Sequence, residues 1–278
     1  MKLEHTHVWR GREIAWGVAG SGPAVIFCHG TPFSSLVWRP FAEALSQNFT
    51  VYLWDMPGFG LSSKKAEHSV DFGSQAAALA NLVEHWQLER PHLVAHDIGG
   101  AVALRAHLVE GVEIASLLLL DVVAIPPSGS PFFKFVQEHP GLLGQLPAYI
   151  HSAILRAYIE NASHRPIAGE LLQQLMEPWL GDEGQQAFYR QIADYDEQYL
   201  RENEARMESL RLPVRIIWGE EDGWIPRERG YRLESLVSGA ELLTIPGAGH
   251  LAQVDAPISV MSELQTWLHR QTARRIQS

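Results

Sequence analysis

The chain has 278 residues, of which 46% are hydrophobic and 19% charged, and its formal net charge is −10. This is the composition of a globular protein with ample material for a core, and it excludes a disordered chain, a collagen-like repeat and a coiled coil. Nucleic-acid binding is not expected, because neutralising phosphates requires clustered Lys and Arg. The single cysteine, Cys28, excludes an internal disulfide and a cysteine-based zinc site.

The amino terminus predicts no export. Met1 to His5 has no apolar stretch after its lysine, so no signal peptide is evident. The longest apolar runs, such as Leu117 to Leu120, have the length of strands and are far too short to span a membrane. We therefore expect a cytoplasmic protein with no membrane association. Its expected partner is a small-molecule substrate, with no cofactor and no metal ion, and the sequence leaves the oligomeric state open.

The predicted elements begin with a hairpin. The first twenty residues alternate around Arg10 and Gly11 and end in the turn from Gly20 to Pro23, a pattern typical of two antiparallel strands. Short runs that are apolar throughout follow, and such runs are typical of parallel strands covered on both faces. The runs cover residues 24–28, 51–54, 92–95, 114–120, 214–218 and 242–245.

Helical spacing of apolar residues between these runs predicts helices over 75–86, 99–109 and 258–268. Alternating strands and helices imply an open α/β sheet, here with eight mostly parallel strands flanked by helices. Ligands of such sheets bind at the carboxyl ends of the strands.

The alternation stops between about residues 122 and 212. This region has no convincing strand pattern, and Pro126-Pro127 and Pro213 bracket it. We predict a core made of 1–121 and 213–278, with a helical cap over 122–212 inserted between the sixth and seventh strands. The helical patterns of the cap cover 148–160, 170–180, 185–200 and 201–210.

The most informative segment is Leu93 to Gly100, where a strand runs straight into a helix and small residues flank Asp97. Small residues at such a turn permit a strained backbone and close packing of strand and helix. The segment resembles the nucleophile turn of the α/β-hydrolase fold superfamily, with Asp97 where serine usually stands. Its His-Asp-x-Gly form resembles the aspartate-nucleophile branch, which contains epoxide hydrolases and haloalkane or haloacetate dehalogenases.

Other segments extend the resemblance in the family's chain order, each following a predicted strand. Residues 29–32 resemble the oxyanion loop and residues 54–62 the loop after the next strand. Residues 219–222 resemble the acid loop and residues 247–257 the histidine loop. Together they extend the resemblance over roughly residues 24–267, apart from the cap.

The resemblance implies a mechanism. Because a carboxylate is ionised at pH 7, Asp97 needs no base to attack an electrophilic carbon and form an ester. His250 would activate the water that hydrolyses this ester. Asp222 would orient His250. The alternative acid is Asp121, at the end of the sixth strand, where some dehalogenases have theirs.

The resemblance also implies an oxyanion hole formed by the backbone N–H groups of Thr31 and Ile98. These two positions depart from the dehalogenases, which usually have Trp or Arg after the nucleophile and often Asn after the His-Gly. Ile98 cannot hold a halide or a carboxylate, so a small anionic substrate is not expected. Ile98 also departs from the epoxide hydrolases, which usually have Trp here as well. They need no halide site, however, and protonate the opening epoxide with hydroxyls of the cap, usually two tyrosines.

The cap has five tyrosines, and we predict Tyr149 and either Tyr195 or Tyr199 as the proton donors. Phe188, Ile192, Tyr195 and Tyr199 stand at helical spacing, and this stripe either faces the pocket or is the packing face of a helix. Residues 132–135 would line an apolar entrance or pack under the cap.

The leading hypothesis is a hydrolase with an aspartate nucleophile, most like an epoxide hydrolase, that acts on a neutral, apolar small molecule. The alternatives are a dehalogenase with an unusual halide site and a non-hydrolytic lyase or ligand receptor on the same scaffold.

Overall fold

A computed structural model describes residues 1–139 and 141–277. Eight strands form one sheet in the order β1-β2-β4-β3-β5-β6-β7-β8. The hairpin β1–β2 is antiparallel, β2 pairs antiparallel with β4, and the remaining pairs are parallel. The predicted α/β architecture is therefore confirmed. The strands are β1 (His5–Trp9), β2 (Arg12–Ala19), β3 (Ala24–Cys28), β4 (Thr50–Trp54), β5 (His92–Asp97), β6 (Ser116–Val122), β7 (Val214–Gly219) and β8 (Glu241–Ile245).

The central strands form the core of the molecule. Every residue of β5 and β6 is buried, which is the reason their sequences are apolar without alternation. Helices α3 and α9 contact the strands beside them, α3 on β5 and β6 and α9 on β7 and β8. The helices of this part of the chain are α1 (Arg39–Leu45), α2 (Phe72–His85), α3 (Ile98–Leu108), α9 (Glu228–Leu236), α10 (Ala252–Asp255) and α11 (Pro257–Gln277).

The predicted helices of the core occur, with shifted bounds. Helix α2 begins at Phe72 rather than at residue 75, because the Asp71 carboxylate caps it by accepting the N–H of Ser74. Helix α11 extends beyond the predicted 258–268 at both ends. None of the described helices combines the length and apolar character needed to cross a bilayer.

Residues 123–213, here called the helical insertion, lie between β6 and β7 and carry five α-helices. They are α4 (Pro131–Glu138), α5 (Ala148–Glu160), α6 (Gly169–Met176), α7 (Gly181–Ala193) and α8 (Gln198–Glu204). Helix α5 has the predicted bounds. Helix α4 was missed, although Ser130 caps it and Pro131 occupies its first turn, a recognisable start signal.

The predicted helix over 185–200 is wrong. Helix α7 ends at Ala193 and α8 begins only at Gln198. In between, the Asp196 carboxylate accepts the N–H of Gln198 at 2.8 Å, a local bond that competes with helix formation. The predicted stripe is therefore divided: Phe188 and Ile192 lie on α7, Tyr195 lies in the turn and Tyr199 lies on α8.

The helical insertion is attached to the loops at the carboxyl edge of the sheet. Trp179 donates its indole N–H to the carbonyl of Pro32 at 2.6 Å, and the Thr31 hydroxyl donates to Gln191 Oε1 at 2.8 Å. The side chain of Asn203 donates to the carbonyl of Ala101 on α3 at 3.0 Å. These bonds position the insertion over the edge at which the sequence predicts the site.

Candidate active site

Asp97 lies at the junction of β5 and α3. Its backbone has φ 52° and ψ −127°, a conformation that a residue with a side chain rarely adopts. The pairing register of β5 with β6 shifts at this residue. The residue is 3% exposed, so its carboxylate is largely shielded from bulk water.

Two glycines make room for this turn. A Cβ atom at Gly30 would lie 2.3 Å from the Cβ of Asp97, and one at Gly99 would lie 2.5 Å from the carbonyl oxygen of His29. Both distances are far below van der Waals contact. The small residues that identified the segment in the sequence are therefore required by the close approach of the loop after β3 to α3.

The two oxygens of the Asp97 carboxylate have different neighbours. Its Oδ1 accepts the backbone N–H of Thr31 at 2.6 Å. The backbone N–H of Ile98 also stabilises the charged form of this carboxylate and contributes to lowering its pKa. Its Oδ2 lies 3.4 Å from Nε2 of His250. The two N–H donors predicted for an oxyanion hole thus converge on the predicted nucleophile.

His250 connects Asp97 to Asp222. Its Nδ1–H donates to Asp222 Oδ2 at 2.9 Å, and its Nε2 makes no aligned hydrogen bond with a described residue. Asp222 Oδ1 accepts the N–H groups of Trp224 and Ile225, both at 2.8 Å. The Trp224 ring stacks on His250, with centroids 4.8 Å apart. The imidazole is therefore fixed in the orientation that leaves Nε2 towards Asp97.

The charges of this trio depend on one another. Burial lowers the pKa of His250, but the Asp222 charge and hydrogen bond and the nearby Asp97 raise it more, so its pKa lies well above the ordinary value. Burial raises the pKa of Asp97, but the close contact with His250 and its charge lower it more, and the net shift is downward. Both shifts favour a protonated His250 beside an ionised Asp97.

Asp121, the alternative acid, makes a different contact. It is fully buried, its Oδ1 accepts the N–H of Gly219 at 2.7 Å, and its Oδ2 has no hydrogen-bond partner among the described residues. Burial and the charge of Asp222 raise its pKa well above the ordinary value. Asp121 therefore holds a proton more readily than an ordinary aspartate, and the histidine bonds to Asp222.

Two histidines, His96 and His29, hold the loops of the site. His96 donates Nε2–H to the carbonyl of His250 at 2.8 Å, and burial with the charge of His250 lowers its pKa to about 3. His29 accepts the N–H of Met56 at 2.9 Å. Asp255 accepts the N–H of Gly249 at 2.8 Å and three further bonds from residues 163–165. The site is thus anchored by neighbours that cannot be identified from motif spacing alone.

A cavity of about 500 Å³ opens beside Asp97, between the sheet edge and the helical insertion. Its wall is mostly apolar, and Thr31, Ile98 and Trp224 belong to it. Phe132 and Phe133 also line it, which resolves the alternatives left open for residues 132–135. A cavity of this size and composition suits a small organic molecule.

The predicted hydroxyl donors are only partly brought to this cavity. Tyr195 lines it, and its hydroxyl is buried without a hydrogen-bond partner among the described residues. Tyr149 is wrong as a pocket residue: it is 74% exposed, because it lies on the solvent face of α5. Tyr199 is also outside the lining, and its ring lies under the guanidinium of Arg105. Tyr158, which lies further along the same helix α5, lines the cavity instead.

Burial raises the pKa of both cavity tyrosines, and the charge of Asp97 contributes to each shift. Both hydroxyls are thus within electrostatic range of Asp97 and stay protonated at neutral pH. Among the described residues, no group of three His, Cys, Asp or Glu side chains is arranged to hold a metal ion.

The sequence matches the model of the alpha/beta hydrolase family over residues 25–263. It is 27% identical over 274 residues to haloalkane dehalogenase 2 of Mycobacterium tuberculosis, covering 89% of this chain and 88% of that protein. It is 26% identical over 249 residues to an uncharacterized hydrolase of Bacillus subtilis, covering 85% and 86% of the two chains.

Solved structures give the same result. An alpha/beta hydrolase fold protein from Burkholderia ambifaria is 41% identical, with a TM-score of 0.92 over 95% of this chain and 97% of that one. The haloalkane dehalogenase DatA from Agrobacterium tumefaciens has a TM-score of 0.82 over 96% of each chain, at 18% identity, and shares the fold. The extent of the family match and the similarity to the Burkholderia structure show that this chain belongs to the alpha/beta hydrolase family.

Proposed function

We propose that the protein is a hydrolase that forms a covalent ester on Asp97 and hydrolyses it with a water activated by His250. The observation that carries this proposal is that the two oxygens of the Asp97 carboxylate have different neighbours. Oδ1 lies in the Thr31 N–H donor site, whereas Oδ2 is turned towards His250. A carboxylate so placed can attack through one oxygen while the other is held.

In the first step, Asp97 Oδ2 attacks a carbon of the substrate. For an epoxide, the carbon–oxygen bond of the ring breaks, the ring oxygen takes a proton from a hydroxyl, and an ester forms. Tyr195, one of the predicted donors, and Tyr158, in place of Tyr149, are the proposed donors. Both side chains line the cavity, and their hydroxyls remain protonated at neutral pH, as a general acid must.

In the second step, His250 Nε2 takes a proton from water, and the hydroxide attacks the carbonyl carbon of the ester. Negative charge develops on Oδ1, where the N–H groups of Thr31 and Ile98 stabilise it. The bond between the carbonyl carbon and Oδ2 then breaks, the leaving alkoxide takes its proton from the His250 imidazolium, and Asp97 keeps one oxygen from water. Asp222 holds the imidazole and stabilises its charged form.

The first step prepares the second. Esterification removes the negative charge of Asp97, which is one of the charges that raise the pKa of His250. The pKa of His250 therefore falls when the ester forms. The histidine becomes available as a base at the point in the cycle at which a base is needed.

A dehalogenase is the second candidate, because a relative with 27% identity is named haloalkane dehalogenase 2. A halide needs N–H or O–H donors beside the reacting carbon. Two side-chain donors in the cavity wall have protein partners: the Trp224 indole donates to Asn161 at 3.0 Å and the Thr31 hydroxyl to Gln191 at 2.8 Å. The Tyr195 hydroxyl, which has no partner among the described residues, can protonate the oxygen of an opening epoxide, and an apolar epoxide is the proposed substrate.

The experiment uses a His250→Gln variant exposed to a mixed panel of terminal epoxides and haloalkanes. Because Asp97 needs no base for its attack, the variant should accept one equivalent, stall and carry the added mass on the peptide that contains Asp97. The added mass identifies whether an epoxide or a haloalkane reacted. An Asp97→Asn, His250→Gln double variant is the control and should carry no adduct.

Turnover of the parent enzyme in heavy-oxygen water provides a second test. After many turnovers, the Asp97 peptide should contain solvent oxygen, because water attacks the carbonyl carbon of the ester. Label confined to the product, with none in Asp97, would show direct attack of water on the substrate and overturn the proposal. No adduct on any substrate and no product would instead favour a lyase or a receptor.

A further inference from the structure

The cavity has an unusual distribution of charge. Of the described residues that line it, Asp97 and Arg229 alone carry a formal charge at neutral pH. The charge of Asp97 belongs to the proposed chemistry and is balanced by His250. The charge of Arg229 has no role in that chemistry.

Arg229 lies in the first turn of α9, the helix that follows β7. Its guanidinium donates one hydrogen bond, to the carbonyl of Pro126 at 3.1 Å. No described carboxylate lies within 4.0 Å of it, whereas its neighbour Arg232 is paired with Glu204. A partly buried guanidinium with several donors and no anion is a site for an anion supplied by a ligand.

A second polar group on the same wall lacks a partner. Ser128 follows Pro126 by two residues and lines the cavity, and its hydroxyl is buried without a hydrogen bond to any described residue. An unsatisfied buried hydroxyl costs stability unless a ligand pairs with it. Arg229 and Ser128 together offer a charged and a neutral donor in a wall that is otherwise mostly apolar.

We propose that Arg229, assisted by Ser128, binds a carboxylate at the end of the substrate that is remote from the reacting carbon. The proposal rests on the proposed function of this cavity. Asp97 ends β5, whereas Arg229 lies on the helix after β7, a strand that runs about 10 Å from β5 across the sheet. The substrate class is then an apolar chain with an epoxide at one end and a carboxylate at the other. This replaces the neutral substrate expected from the sequence with an anionic one, while Ile98 still excludes a carboxylate next to the reacting carbon.

The binding test needs no turnover. Titration calorimetry compares an unreactive medium-chain alkanoate with the carboxamide of the same length. The parent protein should prefer the alkanoate, and Arg229→Gln should lose this preference by about tenfold to a hundredfold in Kd, as expected for a charge-assisted bond. The matched control is Arg232→Gln. Arg232 lies on the same helix and also donates to the Pro126 carbonyl, but it is outside the cavity lining. This variant should keep the preference.

Turnover of a terminal epoxy-carboxylic acid and its carboxamide completes the test. Arg229→Gln should lower kcat/KM for the acid by a similar factor and leave the amide unchanged. Equal binding of alkanoate and carboxamide by the parent, or equal losses in both arginine variants, would overturn the assignment of Arg229. If no epoxide is turned over but the binding preference holds and depends on Arg229, the proposed reaction fails and the carboxylate site stands.

Discussion

The sheet edge and the helical insertion contribute to the site in different ways. At the sheet edge, backbone N–H groups of loops hold both carboxylates: Thr31, in the loop after β3, donates to Asp97, and Trp224 and Ile225 donate to Asp222. In the insertion, Tyr158 and Tyr195 line the cavity from helix α5 and from a turn, and the Tyr195 hydroxyl has no hydrogen-bond partner among the described residues. Backbone bonds within short loops survive changes of side chain, whereas a helix face can be rotated or replaced. We therefore expect the edge to set the reaction chemistry, and the insertion and its neighbours to select the substrate.

The largest effect is expected at the sheet edge. Asp97→Ala should lower turnover by about 10⁴-fold or more, because no other carboxylate of the described residues lines the cavity. Its circular dichroism and melting temperature should stay near those of the parent. Near-normal activity on any substrate that the parent hydrolyses would refute Asp97 as the nucleophile.

Substitutions of the two buried carboxyls near His250, Asp222 and Asp121, should differ clearly in their effect on turnover. Asp222→Asn should lower turnover by about 10³- to 10⁴-fold, because the hydrogen bond and charge at Nδ1 are lost. Asp121→Asn should stay within about tenfold of the parent, because Asp121 bonds to Gly219 rather than to the histidine. Measurement of kcat for both variants tests this, and the reverse order would make Asp121 the acid.

The hydroxyls of the insertion are expected to affect the first step alone. Tyr158→Phe and Tyr195→Phe should each slow alkylation by an epoxide by about 10²-fold or more, as for loss of a general acid. Tyr149→Phe and Tyr199→Phe serve as controls and should react like the parent. Rapid-quench measurement of the ester would show its hydrolysis unchanged in all four variants. Slower ester hydrolysis in the Tyr158 or Tyr195 variant would mean that the insertion also takes part in the second step.

The pH dependence should differ between the two steps. Ester hydrolysis requires neutral His250. Its rate should therefore rise about tenfold per pH unit below the pKa of His250 in the esterified enzyme and level off above that pKa. That pKa should lie below the pKa of His250 in the free enzyme, because esterification removes the Asp97 charge that raises the latter. Single-turnover rates and titration of the free enzyme by NMR would give both values. An ester-form pKa equal to or above the free value would contradict the proposed coupling.

The smallest effect concerns stability. Because the folded-state pKa of Asp121 is raised, the native protein binds a proton that the unfolded chain has already lost, and stability falls as pH rises above the ordinary Asp pKa. Asp121→Asn keeps an acceptor for Gly219 and carries no proton to lose. It should be more stable than the parent at neutral pH by about 1 to 3 kcal/mol, with the gain shrinking towards pH 4. Urea denaturation at several pH values would measure this, and a gain that is the same at every pH would exclude a titrating Asp121.

Much of the sheet edge could be predicted from the sequence. Strand β3 has the predicted bounds, and the loops with Asp97, Asp222 and His250 follow strands as expected. Each of these segments carries its own information: an apolar run specifies a buried strand, and small residues permit the turn that follows it. The structure brings the three side chains together because parallel strands end at one edge.

What the sequence left open was decided by contacts between distant segments. Asp121 and Asp222 both follow strands, and only the packed structure distinguishes the carboxyl that meets His250 from the one that meets Gly219. The sequence identified tyrosines of the cap as candidate proton donors. It could not show that Tyr149 faces solvent whereas Tyr158 lines the cavity. Arg229 carried no sequence signal, because its significance depends on the wall it lines. Periodicity records which residues share a helix face, whereas the groups that this face meets are determined by how the helix packs in the tertiary structure.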